Sequence, residues 1–225
     1  MISYLVASLV LGQDGPKPKP IPKLPPLVPR MIDVQREKAG WYSIYVVFPM
    51  FPEASPVAQL ANSEAENFAS TLLADFQKEL QDLLKKPKIP YHIKLKPRIS
   101  LTNSNIISYD YKGEIEDGQG KSRLVCRTVN IAMVDGKPKV LKLSDLFNPR
   151  DLMSVKAMMA DQAKMIYRYS PTSEDMNKFL FSKASLCWLI PNRVRKGEYK
   201  TLKFDWKYIK PMVKSQSVID GINSF

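Results

Sequence analysis

Residues 91–101 read YHIKLKPRISL, and this stretch decides the fold because apolar and polar residues alternate along nearly its whole length. The odd positions from Tyr91 to Leu101 are mostly apolar, whereas the even positions from His92 to Ser100 are polar or basic. Alternation with a period of two is typical of a β-strand that has one buried and one solvated face. The stretch therefore predicts a strand with a basic, exposed face.

A second alternating segment, residues 107–116, follows a polar turn at residues 102–105, which predicts an antiparallel hairpin. Its polar positions are more acidic and include Asp110, Glu114 and Glu116. The basic face of the first strand then lies beside this acidic face, and each cross-strand pair contributes roughly 0.2–1 kcal/mol. We expect this charged stripe to be a solvated sheet face rather than a binding groove.

The remaining pattern predicts an α+β fold, with a mainly antiparallel β-sheet and one long and one shorter helix packed on one face. The long helix should begin at a capping box of Ser63 and Glu66 and end before Pro87. The shorter helix should begin at Asn148 and Pro149, an N-cap residue followed by a proline at the first helical position. The other predicted strands cover residues 41–48, 122–134, 139–143, 179–190 and 201–208, with a hairpin turn at residues 135–136.

The N-terminal 38 residues differ in composition from the rest of the chain. Residues 1–14 contain an apolar run of about ten residues, half of what a membrane-crossing helix requires, which favours a signal peptide or its remnant. A buried strand is the alternative, since no Lys or Arg precedes the run. Residues 15–38 are rich in Pro and Lys and predict an extended spacer, although such a segment also suits a proline-binding partner. The single folded domain is then residues 39–225, and we expect it to be extracytoplasmic.

The chain is strongly basic, with a formal net charge of +12. For an exported protein this favours a cell-envelope protein or an anionic wall polymer as the partner, and no nucleic acid. A role in solubility alone is the alternative. The best local candidate for a contact surface is a predicted basic loop that carries Arg193, Arg195, Lys196 and Lys200. An ordinary solvated turn is the other interpretation of this loop.

The sequence offers little catalytic chemistry. Its single histidine, His92, excludes a multi-histidine metal site and stands in no motif for nucleophilic catalysis. Residues 118–122 imitate the end of a phosphate-binding loop, but Ile115 occupies the position of its first glycine. We therefore expect no enzyme, no cofactor and no metal. The alternative is a cell-wall polymer hydrolase that uses paired carboxylates such as Asp110 and Glu114.

Two cysteines, Cys126 and Cys187, fall in predicted strands. Two separate buried thiols and one disulfide are equally open, because two cysteines are few for a disulfide scaffold. A domain of this length buries enough surface to fold without a disulfide, and we expect a monomer with no transmembrane segment.

Several motifs, together with the order of the predicted strands and helices, resemble those of a family of exported domains of unknown function. The domain occurs in the RsiV lysozyme-sensing anti-sigma factor and beside the catalytic domain of PdaC-type peptidoglycan deacetylases. The motifs are YVVFP at residues 45–49, YDY at 109–111, TVNIAMVDGK at 128–137 and LKLSDLF at 141–147. The resemblance covers residues from about 40 to 213 and implies a non-enzymatic binding or accessory module of the bacterial cell envelope.

The chain also departs from this family's pattern at two places. GEIED at residues 113–117 stands where the family often has Gly-Ala-His, and NRVRKG at residues 192–197 replaces its Tyr-Ala-x-Gly stretch. No functional residue of the family is therefore carried over. Lysozyme itself is an unfavourable partner, because common lysozymes are cationic and like charges across an interface cost several kcal/mol.

Overall fold

The structure is a computed structural model that describes residues 23–81, 87–192 and 198–224. The strands in these ranges are β1 (Arg30–Lys38), β2 (Tyr42–Met50), β3 (Tyr91–Thr102), β4 (Ile106–Glu116), β5 (Ser122–Val134), β6 (Lys137–Val140), β7 (Phe179–Phe181), β8 (Ser185–Pro191) and β9 (Tyr199–Asp205). The helices are α1 (Pro56–Gln81), α2 (Leu143–Leu146), α3 (Pro149–Tyr167), α4 (Trp206–Ile209) and α5 (Gln216–Asn223). The predicted α+β class is confirmed.

Strands β1 to β6 form one sheet in chain order, and β7 to β9 form a second, antiparallel sheet. Neighbours in the large sheet are antiparallel except for β2 and β3, which are parallel. A parallel pair needs a long crossover connection, and α1 provides it. The large sheet is therefore mixed, with one β-α-β unit inside an otherwise antiparallel meander.

The hairpin of β3 and β4 is confirmed, with Lys94 opposite Glu114 and His92 opposite Glu116. The bounds of β5 are also those predicted. Asp135 and Gly136 both have positive φ, at 50° and 76°, as a two-residue type I′ hairpin turn requires.

Helix α1 begins at Pro56, seven residues earlier than predicted. The hydroxyl of Ser55 accepts a hydrogen bond from the backbone N–H of Ala58 at 3.2 Å, so Ser55 caps the helix and Pro56 occupies its first position. The predicted capping box at Ser63 and Glu66 was wrong, because both residues lie inside the helix. The predicted end of this helix falls at residues 82–86, outside the described residues.

Helix α3 begins as predicted, since the side chain of Asn148 accepts from the backbone N–H of Asp151 at 2.9 Å. It does not share a core with α1, however. The buried face of α1 packs directly on the large sheet, whereas Met159 of α3 belongs to a core with Trp188 and Phe204 of the small sheet. The predicted packing of both helices on one face therefore differs from the structure.

The small sheet exists because the predicted strands at residues 179–190 and 201–208 are each interrupted. The hydroxyl of Ser182 accepts from the backbone N–H of Ser185 at 3.0 Å and makes the turn that separates β7 from β8. Strand β9 ends at Asp205, whose carboxylate accepts from the N–H of Lys207 at 2.9 Å and caps α4. Local side-chain hydrogen bonds thus override the apolar periodicity at both places.

Residues 30–38 were assigned to the spacer, but they form the edge strand β1. All nine residues pair with β2, and this partner is rich in apolar residues that favour a strand. Residues 1–14 and the first part of the spacer, up to residue 22, lie outside the described residues. The chain enters the domain at the Thr102 end of β3, where the N–H of Leu24 donates to the carbonyl of Ser224 at 2.9 Å and the Thr102 hydroxyl donates to the carbonyl of Leu27 at 2.8 Å. Among the helices of the described ranges, none combines the length and apolarity that a membrane span requires.

Candidate functional site

Among the described residues, the face of the large sheet opposite α1 is covered at one end only. The hydroxyl of Ser100 donates to the carbonyl of Phe181 at 2.6 Å, and the N–H of Phe181 donates to the hydroxyl of Ser108 at 2.9 Å. The side-chain amide of Asn130 donates to the carbonyl of Phe179 at 2.7 Å. Strand β7 therefore lies across β3, β4 and β5 near the Thr102 end. We call the uncovered part of this face, from His92 to Lys96 on β3 and from Lys112 to Glu116 on β4, the open half.

A cleft of about 530 Å³ crosses the open half. The residues that line it are Ser43, Tyr45, His92, Ile93, Lys94, Lys96, Glu114 and Glu116. Strand register places these side chains in rows, and one row runs from Tyr45 through Lys94 to Glu114. A second hollow of about 370 Å³ over β1 and β2 shares Ser43 and Tyr45 with the cleft. The charged stripe therefore lines a concave surface, which alternation alone did not predict because the curvature of a sheet arises from its twist.

The end of the cleft nearest the small sheet carries unbalanced positive charge. Lys96 and Lys112 are direct cross-strand partners, and like charges in that position destabilise a sheet. The ammonium nitrogen of Lys96 lies 5.1 Å from the ring centroid of Tyr45, and that of Lys112 lies 6.0 Å from the ring centroid of Tyr199. Cation–π contacts of this kind contribute roughly 0.5–1 kcal/mol each at exposed sites. The two rings thus flank the lysine pair and offset part of its repulsion.

Within the described ranges, Asp110 is the one carboxylate at salt-bridge distance from this pair, through Lys112, and it is fully buried. Arg98 donates two hydrogen bonds of 3.1 Å to its two oxygens, and the Lys112 ammonium lies 3.5 Å from one of them. The cluster of Arg98, Lys96, Lys112 and Asp110 therefore has three positive charges and one negative charge, a net charge of +2. Asp110 was expected on a solvated face. It is buried because the small sheet covers the adjoining end of β4.

The proposed pairing of Asp110 with Glu114 is not supported by their positions. They stand four positions apart on one strand, which places their backbones roughly 13 Å apart at ~3.3 Å per residue, beyond the separation of glycosidase carboxyl pairs. The cleft instead contains Glu114 and Glu116, roughly 7 Å apart by the same rise. Glu114 is exposed and accepts a hydrogen bond from the hydroxyl of Ser122, and Glu116 is half-buried opposite His92.

The predicted basic loop is only partly described. Arg193, Arg195 and Lys196 lie outside the described residues. Lys200 lies in β9 with its ammonium nitrogen 4.6 Å from the ring centroid of Tyr167 in α3. Since successive strand residues point to opposite faces, Lys200 is directed away from the cleft and its neighbour Tyr199 toward it. The structure therefore does not bring Lys200 together with the lysines of the cleft.

Both cysteines are free thiols in the structure. Cys187 is buried in a small apolar cluster with Leu180 and Leu189, and Cys126 packs against the same cluster. Burial raises the pKa of the Cys126 thiol to about 12, and the negative charge of Asp110 acts in the same direction. Within the described ranges, no group of three or more His, Cys, Asp or Glu side chains is placed to hold a metal ion.

Comparison with known proteins connects the chain to others through its fold. No family model matches the sequence, and no curated protein matches it. A DUF3298 family protein from Pseudomonas aeruginosa PAO1 is similar, with a TM-score of 0.60 at 11% sequence identity over 84% of this chain and 95% of that one. A member of the same family from Bacteroides fragilis NCTC 9343 has a TM-score of 0.56 at 10% identity over 89% of this chain and 99% of that one. The chain therefore shares the fold of DUF3298 family proteins, which are domains of unknown function.

Proposed function

We propose that this protein is a non-enzymatic, extracytoplasmic binding or accessory module of the bacterial cell envelope. It presents the open half of its large sheet to an envelope protein or an anionic wall polymer. The observation that carries this proposal is the cleft of about 530 Å³, in which three strands place charged, polar and aromatic side chains on an uncovered face. The resemblance to RsiV- and PdaC-type exported domains and the shared fold of two bacterial DUF3298 proteins support it.

The geometry suits binding because the cleft residues stand on paired strands. Side chains on a rigid element lose less freedom on association than side chains on a loop, so less free energy is lost in ordering them. The net charge of +12 attracts an anionic partner over long range. Arg193, Arg195 and Lys196 contribute to this excess of positive charge.

Co-sedimentation with isolated cell envelopes tests this function. The whole chain should be retained on the pellet, and retention should fall as salt rises from about 50 to 500 mM because exposed charges are screened. Replacement of Lys94 and Lys96 by alanine should weaken retention about 30-fold, since each basic residue near an anionic surface contributes about 1 kcal/mol. Lys137→Ala, on β6 at the far edge of the sheet, is the matched control and should leave retention unchanged. Absence of salt-sensitive retention would contradict the proposal.

A wall-polymer hydrolase is the second candidate, because the cleft contains two carboxylates, Glu114 and Glu116. The residues that line the cleft with them are polar or charged apart from Ile93 and Tyr45. A general acid that stays protonated at neutral pH needs a more apolar surrounding, so the geometry favours binding. Release of reducing ends from purified wall polymer, lost in both Glu114→Gln and Glu116→Gln, would establish the hydrolase and overturn the non-enzymatic proposal.

A further inference from the structure

We infer that Lys96 in the cleft and its cross-strand partner Lys112, which stands beside the cleft, form a subsite for the phosphate group of a phosphorylated sugar in an envelope glycan. Lys96 and Lys112 would hold the phosphate between their ammonium groups, with the sugar lying along the cleft beside Tyr45. This inference rests on the binding function proposed above and names the chemistry of its ligand.

Part of the positive charge of this lysine pair is left uncompensated by the described residues. Both oxygens of Asp110 accept from Arg98, and Lys112 shares one of them. Among the described residues, Lys96 has no carboxylate within salt-bridge distance. Side chains that are direct cross-strand partners have Cβ atoms roughly 5 Å apart, so two lysines in that position can contact one anion from both sides. An anion bound there removes their repulsion, and each contact is a charge-assisted hydrogen bond.

The charge of the side chains changes sign along the cleft. Glu114 lies directly opposite Lys94, two residues from the lysine pair on the same face, and Glu116 lies opposite His92, two residues further along the cleft. Carboxylates accept hydrogen bonds from hydroxyl groups but repel further anions. A ligand that fits has an anionic group at the lysine pair and hydroxyls some 7–13 Å away, by the rise of two to four strand residues. A sugar phosphate has this arrangement, whereas a uniform polyanion such as a nucleic acid does not.

Two aromatic rings, those of Tyr45 and Tyr199, flank the lysine pair. Tyr45 is half-buried in the cleft wall and its ring contacts the ammonium of Lys96, so the remaining ring surface adjoins the space that a sugar would fill. Tyr199 stands on the other side of the pair, with the ammonium nitrogens of Lys112 and Lys178 6.0 Å and 5.9 Å from its ring centroid. The apolar ring faces close the sides of the phosphate position and leave the cleft open along its length.

Titration calorimetry of the whole chain tests the subsite with N-acetylglucosamine 1-phosphate, N-acetylglucosamine and inorganic phosphate as separate probes. The sugar phosphate should bind more tightly than either of the other two. Lys96→Gln should weaken its binding about fivefold, and the Lys96→Gln, Lys112→Gln double variant about 30-fold, because each lysine near an anionic group contributes about 1 kcal/mol. Tyr45→Leu should weaken the binding of the sugar phosphate but not that of inorganic phosphate. Lys137→Ala is the control and should bind like the parent chain.

Besides failure of the sugar phosphate to bind, two outcomes overturn the subsite. One is binding of the sugar phosphate that Lys96→Gln leaves unchanged. The other is that phosphatidylglycerol vesicles bind, that Lys96→Gln weakens this binding, and that the sugar phosphate does not compete with the vesicles. This result would assign the lysine pair to a lipid head group. Lys96 is exposed, so its variant should fold even if the double variant does not. If envelopes still retain the protein while the sugar phosphate fails to bind, the subsite is wrong and the binding function stands; loss of both refutes both.

Discussion

Replacement of Asp110 by alanine should destabilise the protein by about 2–3 kcal/mol, because it removes the buried carboxylate that holds Arg98 and Lys112. Breaking a fully buried ion pair costs about 3–5 kcal/mol, since the remaining charge is left without compensation. Here the side chains of Arg98 and Lys112 are 54% and 30% exposed, so both cations regain water when the carboxylate is removed. The exposure of the partners lowers the expected cost below that range.

Urea unfolding of the parent chain and of Asp110→Ala measures this difference as a change in midpoint at constant slope. Glu114→Ala is the matched control, because it removes an exposed carboxylate from the same face of the same strand, and it should change stability by less than about 0.5 kcal/mol. Equal stability of the two variants would refute the buried role of Asp110. Asp110→Ala also raises the net charge of the cluster from +2 to +3, so this variant should bind the sugar phosphate more tightly than the parent chain although it is less stable.

Three further predictions concern other parts of the fold. Gly113→Ala should lower the free energy of unfolding, measured in urea, by about 3–5 kcal/mol. The new Cβ would overlap the carbonyl oxygen of Lys94 on the paired strand, so it would both overpack this site and break hydrogen bonds between the two strands. Burial acts to raise the pKa of Asp175, but the hydrogen bonds that its carboxylate accepts outweigh burial and lower this pKa. The free energy of unfolding should therefore fall as the pH drops below about 3.8, and this fall should be smaller in Asp175→Asn. Iodoacetamide at pH 8 should modify Cys126 and Cys187 only after unfolding, because Cys187 is buried and Cys126 is half-buried with a pKa that burial raises to about 12.

Each of these predictions has a control. Gly136→Ala adds a Cβ with no atom within 4 Å, so it should cost only the roughly 1 kcal/mol of a positive φ. The lowered pKa of Asp175 comes from hydrogen bonds donated by Tyr169 and Thr172, so Tyr169→Phe should reduce the same pH dependence. Rapid alkylation of the native chain at either cysteine would contradict the packing of that thiol.

The parts of the fold that sequence predicted are those with local signals. The alternation at residues 91–101 and 107–116 gave the hairpin, Asp135 and Gly136 gave the turn, and Asn148 with Pro149 gave the start of α3. Each signal depends on the conformation of a few consecutive residues, so it survives in any compact arrangement of the chain.

The candidate site was harder to predict because it depends on contacts between distant segments. Alternation placed Lys96, Asp110 and Lys112 on one face, but only the register makes the two lysines direct partners. The burial of Asp110 depends on a second sheet, whose existence follows from the turn at Ser182 and the helix cap at Asp205. The sequence favoured the basic loop because its charges lie close together along the chain, whereas the charges of the cleft come together only through strand pairing.

The contact between Leu24 and Ser224 brings the two ends of the described chain together at one edge of the molecule. Lys94 in the cleft lies eight strand residues from Thr102 at that edge, roughly 26 Å away at ~3.3 Å per residue. Attachment at residue 24 or residue 224, to a sensor chip or a carrier, should thus orient the cleft toward the bulk medium. A mechanical load applied between residues 24 and 224 would act first on these few end contacts and spare the ladder of the six strands.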